Sequence, residues 1–81
     1  MFMERKEILE KASQILGFEI DGVMYVTQKM AIDMVGITRP TFVKKVKRLG
    51  LKYRRSDNGR VYFERNVILD AIQRGLFERY I

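Results

Sequence analysis

The chain has 81 residues, 47% of them hydrophobic and 32% charged, which suits one small domain over residues 1–81 with a packed core and a charged surface. It contains neither cysteine nor histidine, which excludes disulfides, the usual zinc sites, thiol nucleophiles and every Ser-His or Cys-His arrangement, and no cofactor is implied. A net charge of +6 points to a polyanionic partner, and no apolar run approaches the roughly 18 residues of a membrane span.

The charge is unevenly spread. Between Arg39 and Arg65 lie ten of the sixteen Lys and Arg residues against two acids, Asp57 and Glu64, a local net of +8; the remainder, six cations against eight acids, carries −2. Mixing charges for solubility alone does not produce this segregation, so a nucleic-acid face along a continuous Arg39 to Arg65 surface is expected. The start, Met1-Phe2-Met3-Glu4-Arg5-Lys6-Glu7, has acids where a secretory signal is apolar, so an intracellular location (cytoplasm or nucleoid) is expected.

In chain order, Ile8, Leu9, Ala12, Ile15 and Leu16 recur at three- and four-residue steps and predict an amphipathic helix over about residues 3–16, stopped by Gly17. Phe18-Glu19-Ile20 and Val23-Met24-Tyr25-Val26 flank Asp21-Gly22, a dipeptide suited to a two-residue hairpin turn. Thr27 is placed to cap a short helix with the apolar stripe Met30, Ala31, Met34 and Val35, which Gly36 ends. Thr38 is a second N-cap, and Pro40 is tolerated because first-turn amides have no intrahelical acceptor to lose.

The helix that starts there buries Phe42, Val43, Val46 and Leu49 and turns Lys44, Lys45, Lys47 and Arg48 to its flanks and outer face, with Gly50 as C-cap. Leu51 to Arg55 and Arg60 to Phe63 form a second hairpin about Asp57-Asn58-Gly59; a three-residue loop sets Tyr53 opposite Phe63 on a covered face and leaves Lys52, Arg54 and Tyr62 on the other. Asn66 is the expected cap of a last helix, over about residues 66–79, with Ile68, Leu69, Ile72, Leu76, Phe77 and Tyr80 on its apolar side. Leu76, Phe77, Tyr80 and Ile81 have two readings, extension of the core or a surface for self-association as a dimer or cooperative array.

Two short helices about a tight Val35-Gly36-Ile37-Thr38 turn (residues 27–49), the second basic, followed by a basic hairpin (residues 51–64), describe a winged helix-turn-helix with an extra N-terminal helix, mainly α with small β-hairpins. The run from Thr27 through Gly36-Ile37-Thr38-Arg39-Pro40-Thr41 to Phe42 resembles the start of the excisionase and MerR-like helix-turn-helix domains, and the resemblance covers about Tyr25 to Gly75. Ile32 stands where that superfamily commonly has a small residue, and the long dimerisation helix of MerR regulators has no counterpart, so effector sensing is not implied.

The expected function is sequence-specific binding of double-stranded DNA, by a transcription regulator of a mobile element or virus, with the second helix in the major groove. The resemblance implies base contact by Arg39 and Thr41, with Thr38 beside them in the DNA-binding set; Lys44, Lys45, Lys47 and Arg48 span too much of the helix to face the groove together, so some reach phosphates. Lys52, Arg54, Arg55 and Arg60 belong to the wing, set for the adjacent backbone or minor groove. One alternative is an excisionase-type architectural factor that directs a recombinase. Another is a single-strand or RNA-binding module in which Tyr53, Tyr62 and Phe63 stack on bases. No catalytic centre is expected, because the two acids of the basic segment have no histidine, cysteine or phosphate-cradling glycine loop beside them.

Overall fold

The computed structural model describes residues 5–77, which form an α+β arrangement of four helices and one four-stranded antiparallel sheet. Among the described residues helix α1 spans Arg5–Ser13, ending before the residue 16 that the apolar periodicity suggests. Its end is tightened by Gln14 and Ile15 amides that reach back to the Lys11 and Ala12 carbonyls. Ala12 is fully buried and Leu9 and Ile15 pack on the core, but Leu16, past the helix end, is 65% exposed. Gly17 follows in a left-handed conformation (φ 78°), and a Cβ there would sit 1.9 Å from the Tyr25 carbonyl oxygen. Its role is therefore close approach of two backbones as well as chain reversal.

Strands β1 (Phe18–Ile20) and β2 (Val23–Thr27) form the first hairpin, in the register Phe18↔Tyr25 and Ile20↔Val23. Asp21 and Gly22 both take positive φ (50° and 82°), the signature of the two-residue turn that matches strand twist. Helix α2 (Gln28–Val35) begins at once, its N-cap Thr27 accepting the Met30 amide on Oγ1 at 3.1 Å. Ala31, Met34 and Val35 are buried, and Gly36 closes the helix with its amide on the Ile32 carbonyl at 2.8 Å.

Helix α3 (Arg39–Leu49) starts after N-cap Thr38, whose hydroxyl makes no capping bond and instead meets the Thr41 hydroxyl at 2.9 Å. Phe42 and Val46, one turn apart, are its buried residues, with Leu49 packed at their edge. Strands β3 (Arg54–Arg55) and β4 (Val61–Glu64) follow in the expected register, Arg54↔Tyr62 and Arg55↔Val61. Asp57-Asn58-Gly59 is the three-residue loop: the Ser56 amide donates to Arg60 O at 2.8 Å and the Gly59 amide to Ser56 O at 2.9 Å. The Ser56 hydroxyl accepts the Arg60 amide at 3.1 Å and donates to Asn58 Oδ1, so one serine ties the loop from inside.

Helix α4 spans Arg65–Gln73. Its N-cap is Glu64, without a side-chain capping bond, so Asn66 lies inside the first turn and not at the cap. The helix stops well before residue 79, because Gly75 (φ 72°) reverses the chain with its amide on Ile72 O and the Leu76 amide on Ala71 O. That reversal carries Phe77 into the core, 5% exposed, its ring stacked on Phe42 at 5.7 Å and 7°. Leu76, partly buried, packs against the same core, so the core-extending reading holds for Phe77 and in part for Leu76. Tyr80 and Ile81 lie outside the described residues.

The sheet order is β1-β2-β4-β3, so the two hairpins join through β2 and β4, with Tyr25↔Glu64, Val26↔Phe63 and Thr27↔Tyr62. One face carries Val26 and Phe63 onto the helices, where they meet Ile68 and Phe42 as the largest fully buried side chains. The other face carries Phe18, Tyr25 and Tyr62, following the strand alternation. Helices α1, α2 and α4 run close to one another or to the sheet, whereas α3 shares no extended backbone approach with any element. It is held chiefly by Phe42 and Val46, with Phe42 edge-on to Phe63 at 5.5 Å.

Candidate nucleic-acid interface

Because α3 is anchored along one narrow stripe, the rest of its circumference is free to carry charge. Thr38, Arg39, Lys44, Lys47 and Arg48 are exposed, while Thr41 and Lys45 are partly buried. Lys45 is already engaged within the protein, and Thr41 is tied to Thr38. The outward set is thus Arg39 at the helix start and Lys44, Lys47 and Arg48 beyond it, with no acid anywhere in the helix.

The β3–β4 hairpin divides its charges between two faces. Arg55 pairs with Val61 and turns toward α3, where it lines a cleft of about 160 Å³ with Lys47, Val43, Tyr53 and Phe63. Lys52 is exposed beside this edge, on the connection that leaves α3, and lines a shallow hollow with Lys47 and Tyr53. Lys47 and Arg55 therefore converge across the gap between helix and hairpin. Arg60 is exposed at the loop and lines a different groove with Arg39.

Arg54 is exposed on the expected face, with Tyr62, and is tied there within the protein. Its Nη1 donates to the Tyr25 hydroxyl at 2.9 Å, and its guanidinium carbon lies 5.6 Å from the Tyr25 ring centroid, so it is held on the sheet face opposite Phe63. Its neighbour in the charge count, Arg65, leaves the basic surface altogether: Nε donates to Ile15 O at 2.9 Å and Nη2 to Ser13 O at 2.8 Å, which closes the end of α1. The continuous Arg39 to Arg65 surface is thereby shortened to Arg39 through Arg60, with Arg54 tied to Tyr25.

The aromatic trio of the second hairpin does not form one platform. Phe63 is 2% exposed in the core, Tyr53 is 50% exposed while leaning on Phe63 at 6.0 Å, and Tyr62 lies on the opposite sheet face. Sequence reasoning missed Gln28, Lys29, Phe18 and Ile20, which the fold brings beside Arg39, Arg60 and Tyr62 in one groove. The only available sign was Lys29 at the start of α2; the partnership with β1 depends on the β2–β4 pairing, which alternation leaves open.

Among the described residues no helix is long and apolar enough to cross a membrane. No family model matches the chain, and comparison with curated proteins and with solved structures finds no match.

Proposed function

We propose that this chain binds double-stranded DNA sequence-specifically as a winged helix-turn-helix protein, with α3 as the recognition helix and the β3–β4 hairpin as the wing. One observation carries the reading: α3 stands off the body on Phe42 and Val46 and presents Arg39, Lys44, Lys47 and Arg48 outward, without a carboxylate on the helix. A B-form major groove about 12 Å wide admits one helix, and cations on its outer side then meet base edges at the leading turn and phosphates along the flanks. The order α1, β1, β2, α2, α3, β3, β4, α4, with the sheet running β1-β2-β4-β3, supports a winged arrangement extended by the edge strand β1. Arg55 and Lys52 beside α3 supply the charge such a wing needs on the neighbouring backbone.

In this reading Arg39 is the base-reading residue, since arginine pairs bidentately with guanine, and Thr38 and Thr41 orient the first turn through their shared hydroxyl contact. The protein then acts as a transcription regulator of a mobile element or virus, in the cytoplasm or nucleoid where the duplex lies. Selection of bound fragments from a random duplex pool tests it. A recovered motif with defined half-site spacing is the expected result; recovery of all sequences equally would refute sequence-specific recognition.

A further inference from the structure

We infer that the sheet face opposite Phe63, where it meets the starts of α2 and α3, carries a groove that holds unpaired nucleotides by stacking them on Phe18 and Tyr62. It goes beyond duplex recognition, sharing Arg39 and Arg60 with that surface but resting on an aromatic floor that duplex recognition does not use. The register sets Phe18 beside Tyr25 and Tyr25 next to Tyr62, so the three rings share one face. Tyr25, 5% exposed, is the base of the cluster, with Tyr62 edge-on at 5.3 Å and Phe18 at 6.2 Å, and Phe18 and Tyr62 meet at 5.7 Å. Arg54 braces Tyr25 from the third strand, which leaves the two partly exposed rings on a firm support.

These rings and Ile20 floor a groove of about 1190 Å³, walled by Lys29 of α2, Arg39 of α3 and Arg60 of the β3–β4 loop. Among the described residues no carboxylate lines it. Cations without acids at the rim select a polyanion, and an aromatic floor selects one that carries flat rings, which disfavours an acidic peptide. The Gln28 and Asn58 amides at the edge can meet base edges. In a duplex the bases are stacked on one another and do not present their faces to the rings, so the occupant is a single strand. The groove exceeds the roughly 300–1,000 Å³ of a small-molecule pocket, which suits a strand.

The test is fluorescence anisotropy of the full chain with a labelled thymidylate oligonucleotide of about ten nucleotides, a random duplex and inorganic polyphosphate. Tyr62→Leu and Phe18→Leu should each weaken oligonucleotide binding roughly tenfold, with duplex binding unchanged and Tyr62→Phe restoring the affinity. Lys44→Ala with Arg48→Ala should do the reverse. Ultraviolet cross-linking of the wild-type protein, which is independent of variant folding, should join thymine to the peptides holding Phe18 and Tyr62. Absence of oligonucleotide binding, displacement by polyphosphate at equal charge concentration, or cross-links confined to other peptides would overturn the inference. Loss of duplex binding alone would remove the proposed function and leave the groove standing.

Discussion

At the scale of single residues, Gly17 and Arg65 secure the same seam from opposite sides. Gly17 lets the chain leaving α1 pass against the Tyr25 carbonyl, and Arg65 binds the Ser13 and Ile15 carbonyls that α1 leaves unpaired. A methyl at Gly17 meets both a positive φ and a backbone oxygen at 1.9 Å. Gly17→Ala should therefore destabilise by roughly 3 kcal/mol or more, read from urea unfolding. Arg65→Ala should cost less, about 1–2 kcal/mol, because water can replace its contact with exposed Ser13. It should leave duplex affinity unchanged, which separates Arg65 from the basic residues it neighbours in sequence. The Arg54–Tyr25 bond is a further local tie, and Tyr25→Phe should lower stability by about 1 kcal/mol in the same unfolding experiment.

At the scale of elements, α3 combines shallow anchoring with an outward basic face, so stability and binding should separate within it. Phe42 joins Phe63 on one side and Phe77 on the other, and Phe42→Ala should cost roughly 3–5 kcal/mol by calorimetry or urea melt. Arg39→Ala should leave the fold intact and reduce discrimination between preferred and altered duplexes by about 1–3 kcal/mol in competition titrations. Much of this element order was legible beforehand, because its cues are local. Thr27 caps α2 as its position implies, Asp21-Gly22 makes its turn, and Asp57-Asn58-Gly59 sets the Arg54↔Tyr62 register. What was not legible depends on contacts distant in sequence. The run from Phe18 to Thr27 and that from Val61 to Glu64 alternate equally well alone or paired, and only the shared burial of Val26 and Phe63 selects their pairing. The Arg54–Tyr25 bond and the Arg65 contacts with the end of α1 escape the sequence for the same reason, since their acceptors lie 29 and about 50 positions away. The early end of α4 follows from Gly75, a break outweighed in the sequence pattern by the apolar residues beyond it.

At the scale of the whole molecule, one sheet has a core side and an aromatic outer side, and Arg39 and Arg60 stand at the edge of the outer side. Its inner side and the helices form the core that holds α3 outward, and its outer side floors the aromatic groove. The charge segregation follows this division, with Arg39, Lys44, Lys47, Arg48, Lys52, Arg55 and Arg60 spread around α3 and the adjoining hairpin. The central claim is that this surface neutralises phosphates of a DNA duplex, and its most direct test is the salt dependence of duplex affinity. Each neutralised phosphate contributes about −0.9 to the slope of log affinity against log salt, so contact by four to six of these cations gives a slope of about −4 to −5. Lys44→Ala with Arg48→Ala should reduce that slope by about two while the protein stays folded. No duplex binding at low salt, or a slope near zero that the double variant does not change, would contradict the account.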